Sequence, residues 1–110
     1  MDFKEMASNI GLEEEDFIEL LEMLVEVSFK DIDNFQKEFA AQNYSGAAMA
    51  AHSIKGASGN LGLIEISEAA AELEQAAKLT DDSQVPEKIK FLEKEMDNIS
   101  EALKDYRPRS

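Results

Sequence analysis

"FIELLEMLVEVSFKDIDNFQKEF", residues 17–39, places apolar side chains at Phe17, Leu20, Leu21, Leu24, Ile32, Phe35 and Phe39, with the small Ser28 in the same series. The steps are three and four residues, the spacing that gathers side chains on one face of an α-helix. Val85, Ile89, Leu92, Met96, Ile99, Leu103 and Tyr106 repeat the pattern near the end of the chain. Two shorter alanine-rich segments lie between these stripes, at about 45–60 and 63–79, and neither alternates with the period of a strand.

Turn chemistry agrees with this division. "NYSG" (43–46) offers Ser45 as an N-cap, "NLG" (60–62) supplies a glycine for a helix C-terminus, and "TDDSQVPE" (80–87) puts Pro86 in the first turn of the next helix. Pro108 in "YRPRS" is expected to close the last helix, and a short leading helix at about 3–9 to cover one end. Main helices near 13–42, 45–60, 63–79 and 85–106, joined by short loops, predict an all-α fold. It is an antiparallel up-and-down four-helix bundle with a short additional N-terminal helix, in one domain over 1–110. The first and last of these are about 45 and 33 Å long, so they outreach the middle pair unless the longer one bends.

Composition narrows the function classes. The 110 residues hold no cysteine, which excludes disulfides, a thiolate nucleophile and cysteine-based metal sites. With 24 acidic against 11 basic residues the net charge is −13, and a polyanion is repelled. Neither nucleic acid nor an anionic membrane is an expected partner. No apolar run spans a bilayer and "MDFKEMASNIG" lacks the regions of a signal peptide, so a cytoplasmic location is expected. Clusters such as "EEED" (13–16) suit the positive end of a helix dipole.

"AAHSIKGASGNLGL", residues 50–63, holds the single histidine among three glycines and a lysine. On a helix, His52 shares its face with Ala48, Lys55, Gly56 and Gly59, while Ala47, Ala50, Ile54, Ala57 and Leu61 face the core. Two glycines on one helix face cost about 2 kcal/mol relative to alanine. They serve either to give a bulky group clearance around the imidazole or to let a neighbouring helix cross closely. Lys55 adds a positive charge one turn on, and an open imidazole beside an ammonium is a seat for a phosphoryl group. If the helical hairpin turns near Leu61 and Gly62, residues 71–74 lie opposite His52. Glu72 or Glu74 can then accept a hydrogen bond from Nδ1–H and leave Nε2 as the nucleophile.

"HSIKGASGNLGL" resembles the signature of histidine-containing phosphotransfer (HPt) domains, broadly H-x-[IL]-K-G-x-[SA]-x-x-x-G. His52, Ile54, Lys55, Gly56, Ser58 and Gly62 match it, and the specific likeness runs over 48–78. The resemblance implies a phosphorelay carrier of a two-component system, without kinase activity of its own. His52 would accept a phosphoryl group through Nε2 from a receiver-domain aspartyl phosphate and pass it to another receiver. Lys55 would offset the phosphoryl charge, and Gly56 would leave space for the group and the partner. Where the family often has Gln, 22 positions after the histidine, this chain has Glu74, as do some chemotaxis-kinase relatives. A carboxylate there would orient the ring and make it a stronger nucleophile than an amide would.

The implied partners are response-regulator receiver domains and a hybrid histidine kinase, with the carrier a monomer. No cofactor is expected in this chain, and Mg2+ is expected in the receiver's acidic pocket. Docking is expected on a flat area of Ala48, Gly56 and Gly59, extended by Met6 or Ile10 from the leading helix. Two neighbouring readings are an HPt-like module that docks receivers without carrying phosphate, and the phosphoacceptor domain of a chemotaxis-type kinase. A carboxylate di-iron bundle is excluded, because it needs Glu-x-x-His pairs on two helices and the single histidine is preceded at that spacing by Met49.

Overall fold

The computed structural model describes residues 1–106, which form five helices and, among the described residues, no strand. Pro108 lies outside the described residues. The elements are α1 (Phe3–Asn9), α2 (Glu14–Ala40), α3 (Tyr44–Asn60), α4 (Ile64–Leu79) and α5 (Val85–Asp105). Each long helix packs on its neighbour in the chain, and α2 also packs on α5, so the four enclose one all-helical core.

The two long amphipathic stripes supply the large side chains of that core. Phe17, Leu21, Leu24, Ile32 and Phe35 of α2 and Ile89, Leu92, Met96 and Ile99 of α5 are buried, as is Ser28. Leu20, expected in the α2 stripe, is instead exposed, and Ile18 on the other flank is buried. The buried arc of α2 is thus rotated toward Ile18 at its N-terminal end, and Leu20 joins Met23 and Val27 in an outward apolar groove.

Alanines make the middle pair thin. Ala47, Ala50 and Ala51 of α3 and Ala69, Ala70 and Ala77 of α4 are buried around Ile54 and Leu73. The residues joined across these helices run in opposite directions, 52 with 74, 55 with 67 and 59 with 67, so the pair is antiparallel.

Helix α2 runs unbroken for 27 residues, about 40 Å, against 17 and 16 residues in α3 and α4. Its N-terminal end is covered by α1, whose Phe3 and Ala7 are buried and whose Phe3 ring meets Tyr106 edge-on at 5.8 Å. The expected Ser45 cap is replaced by Asn43, whose side chain accepts from the Gly46 amide at 3.2 Å. Helix α3 therefore begins at Tyr44, and Ser45 lies inside it. At the other end Gly62 takes φ +76°, the left-handed conformation that reverses the chain into α4.

Candidate functional site

His52 stands on α3 with 65 % of its side chain exposed. Its neighbours on the buried side, Ala51 and Ile54, lie in the core, so the helix rotation that packs them turns the imidazole outward. Because α4 returns antiparallel, position 74 comes level with position 52. Glu74 Oε2 lies 3.2 Å from His52 Nδ1. A carboxylate only accepts, so in the neutral imidazole Nδ1 carries the proton and donates it, and the lone pair is on Nε2.

Glu74 is the hub of the cluster. Its Oε1 is 3.1 Å from Lys55 Nζ, and its Oε2 is 3.4 Å from Lys78 Nζ as well as facing the ring. Its side chain is only 12 % exposed, against 37 % for Lys55 and 58 % for Lys78. Burial pushes the Glu74 carboxyl up, but the hydrogen bonds and charges of Lys55 and Lys78 outweigh it and hold the group below its ordinary value. Glu74 is therefore ionised at neutral pH, as an acceptor for Nδ1–H requires. The other carboxylate open to the hairpin reading, Glu72, faces away and pairs with Lys88 at 2.6 Å.

The two glycines beside His52 have different surroundings. A Cβ on Gly56 would meet nothing within 4 Å, so the space next to the ring is open. A Cβ on Gly59 would lie 3.2 Å from Ser67 Oγ of α4. That hydroxyl donates to the Lys55 carbonyl at 3.0 Å, tying α4 to α3 beside the site. Gly59 thus admits a helix contact, while Gly56 gives clearance. Ser58 is buried on the opposite face and donates back to the Ile54 carbonyl at 2.6 Å.

The expected landing area is only partly present. Ala48 is 8 % exposed and forms the floor of a groove walled by Tyr44, Ser45, Met49, His52, Ala77 and Lys78. A flat Ala48 surface is corrected to a groove floor, because α4 packs against that flank of α3. Met6 and Ile10 are half-buried, and Ile10 packs at the Gly62 turn. That turn is about 15 Å along α3 from His52, so Ile10 does not border the histidine.

Lys78 was not among the expected site residues. Its signal was the Glu74/Lys78 spacing of four within one helix, which gains meaning only once Glu74 is known to face His52. Among the described residues no group of three His, Cys, Asp or Glu side chains is placed to hold a metal ion, and no helix is long and apolar enough to cross a membrane.

The arrangement supplies an oriented imidazole with a free, accessible Nε2, a buried carboxylate to hold the ring proton, and two ammonium groups for anionic charge. The family model for the Hpt domain matches residues 19–102. In fold, the chain is similar to histidine-containing phosphotransfer protein B (HptB) from Pseudomonas aeruginosa PAO1. The TM-score is 0.75 at 24 % identity, covering 93 % of this chain and 92 % of that one. No curated protein matches the chain in sequence.

Proposed function

Because the chain belongs to the Hpt domain family, phosphotransfer carriers of two-component signalling, we propose that His52 is its phosphoacceptor, taking a phosphoryl group from a receiver-domain aspartyl phosphate and passing it to a second receiver. The observation that carries this reading is the His52–Glu74 contact, which selects the tautomer with Nε2 free. The Nε2 lone pair attacks phosphorus, the bond between phosphorus and the aspartyl oxygen breaks, and the receiver's aspartate leaves as a carboxylate. The ring keeps its Nδ1 proton and becomes a phosphorylated imidazolium, whose positive charge faces Glu74. Return transfer reverses the same bonds.

Positioning and charge complementarity supply the catalysis, shared across the complex, and the chain has no kinase activity of its own. Lys55 meets phosphoryl charge, and Gly56 admits the receiver's acidic pocket, where Mg2+ belongs; this chain contributes no cofactor. The fold in this reading is an antiparallel up-and-down four-helix bundle with one additional N-terminal helix, in a single domain over 1–110. It acts as a cytoplasmic monomer, with receivers and a hybrid kinase as partners. The ring of contacts from α2 through α5 supports that architecture.

The test is intact mass of wild type and His52→Gln after incubation with phosphorylated receivers, kept at neutral to alkaline pH. One acid-labile phosphoryl group on wild type and none on the variant is the expected result. Binding of receivers without transfer would replace the carrier by a docking module.

A further inference from the structure

Lys78 reaches the site from α4, on the same carboxylate oxygen that faces the imidazole, while Lys55 occupies the other oxygen. Glu74 is mostly buried and must keep a cationic partner when its surroundings change. The two lysines are not equivalent. Lys55 is on the histidine's own helix, one turn on and beside the open space at Gly56, and its four-carbon stem can swing to a group on Nε2. Lys78 is one turn after Glu74 on α4, in the orientation that favours a standing glutamate–lysine pair.

Charge tells what the second lysine is for. Before transfer the neutral ring, one carboxylate and two ammonium groups make a cluster of one positive charge. A phosphoryl group carries about −2 and leaves the ring cationic. The phosphorylated cluster is then neutral with Lys78 and negative without it.

We propose that Lys78 is a positioning residue that holds Glu74 while Lys55 moves from Glu74 to the phosphoryl group. The inference rests on His52 being the phosphoacceptor. It assigns Lys55 two successive partners and Lys78 one constant partner. A merely helix-stabilising Glu74–Lys78 pair would affect melting temperature and leave phosphorylation unchanged.

The experiment uses phosphoramidate, a small donor that bypasses receiver docking. Its P–N bond breaks as Nε2–P forms, and the protonated amine leaves as ammonia. The rate of His52 labelling, followed by intact mass, is compared for wild type, Lys78→Met, Lys78→Arg, Glu74→Gln and the double variant Glu74→Gln/Lys78→Met. We expect Lys78→Met to slow labelling by roughly threefold to tenfold, the cost at partly screened range of drawing Lys55 away from a Glu74 carboxylate left with no second ammonium. Lys78→Arg restores the rate. In the Glu74→Gln background, where Lys55 is already released, Lys78→Met changes nothing. An unchanged rate in Lys78→Met, or the same slowing in both backgrounds, overturns the hand-over and leaves the carrier role standing. Failure of wild-type His52 to be labelled removes the carrier role and the hand-over with it.

Discussion

Helices α2 and α5 fill their share of the core with Phe17, Leu21, Ile32, Phe35, Leu92, Met96 and Ile99, whereas α3 and α4 contribute mainly alanines around Ile54 and Leu73. The candidate site lies on the second pair. Large side chains bury more apolar area and supply most of the stabilisation. Small ones let two helices run close enough for Glu74 to reach across to both His52 and Lys55. Stability and the site are thus assigned to different halves of one core. Within α3 the same division recurs between Gly59, which admits Ser67, and Gly56, which leaves room for something outside the molecule.

The division can be broken most severely from the large side. Phe17→Ala should cost about 3–5 kcal/mol, because the ring is fully buried and the surroundings cannot collapse onto the space. Denaturant unfolding measures this, and a loss below 1 kcal/mol would show that α2 does not carry the stability ascribed to it.

Enlarging the thin side is expected to cost less but to act on the site. Ala51→Leu adds three carbons where no surface is exposed, so about 1–3 kcal/mol is lost to overpacking. Pushing α3 off α4 should also weaken the His52–Glu74 hydrogen bond, seen as a change in the imidazole 15N shifts. Unaltered shifts in a destabilised variant would mean that close helix approach is not what brings the two residues together.

The glycines sharpen the comparison at about 1 kcal/mol. Gly56→Ala should stabilise the helix by up to about that amount, since nothing opposes the new methyl, while slowing transfer from receivers. Gly59→Ala should gain little, because the methyl displaces the Ser67 hydroxyl from the Lys55 carbonyl; the gain should return in a Ser67→Ala background. Thermal melts of wild type, the two glycine variants, Ser67→Ala and Gly59→Ala/Ser67→Ala decide. Identical behaviour of the two glycine variants would erase the distinction.

Acid provides the smallest lever. The Glu74 carboxyl is held below its ordinary value by Lys55 and Lys78 against the opposing effect of burial, so the folded state favours its ionised form. Its contribution is fully present above the ordinary carboxylate titration and is lost as pH falls through the lower folded value. The loss should stay under about 1 kcal/mol, the scale of pairs whose lysines are solvent-exposed. Glu74→Gln should therefore lose less stability than wild type between neutral pH and about pH 3. An equal loss in both proteins would mean that the carboxylate is not held in this way.

Much of this was legible in the sequence because period and turn chemistry are local. The stripes of α2 and α5, the five helices, the Gly62 reversal and the outward direction of His52 each follow from residues a few positions apart. Errors arose where one local rule competed with another. Ser45 and Asn43 are both good caps, and the backbone used the one that lets Tyr44 begin the helix and meet the Phe39 ring at 5.2 Å. Leu20 fits the period but lies outside the arc that its neighbours bury.

The chain by itself determined which residues can be helical, which faces are apolar, and that one imidazole stands among small residues beside a lysine, because these depend on spacing within a turn or two. Spacing left Glu72 and Glu74 open and the resemblance pointed to Glu74, whereas the tertiary structure alone decided that Lys78 joins Glu74 and His52, that Ala48 is a floor, and that Gly56 and Gly59 differ. Each of these depends on the register and rotation of α4 against α3. A shift of one residue turns a side chain by about 100° around the helix, and only the packing of both helices against the whole core sets that angle.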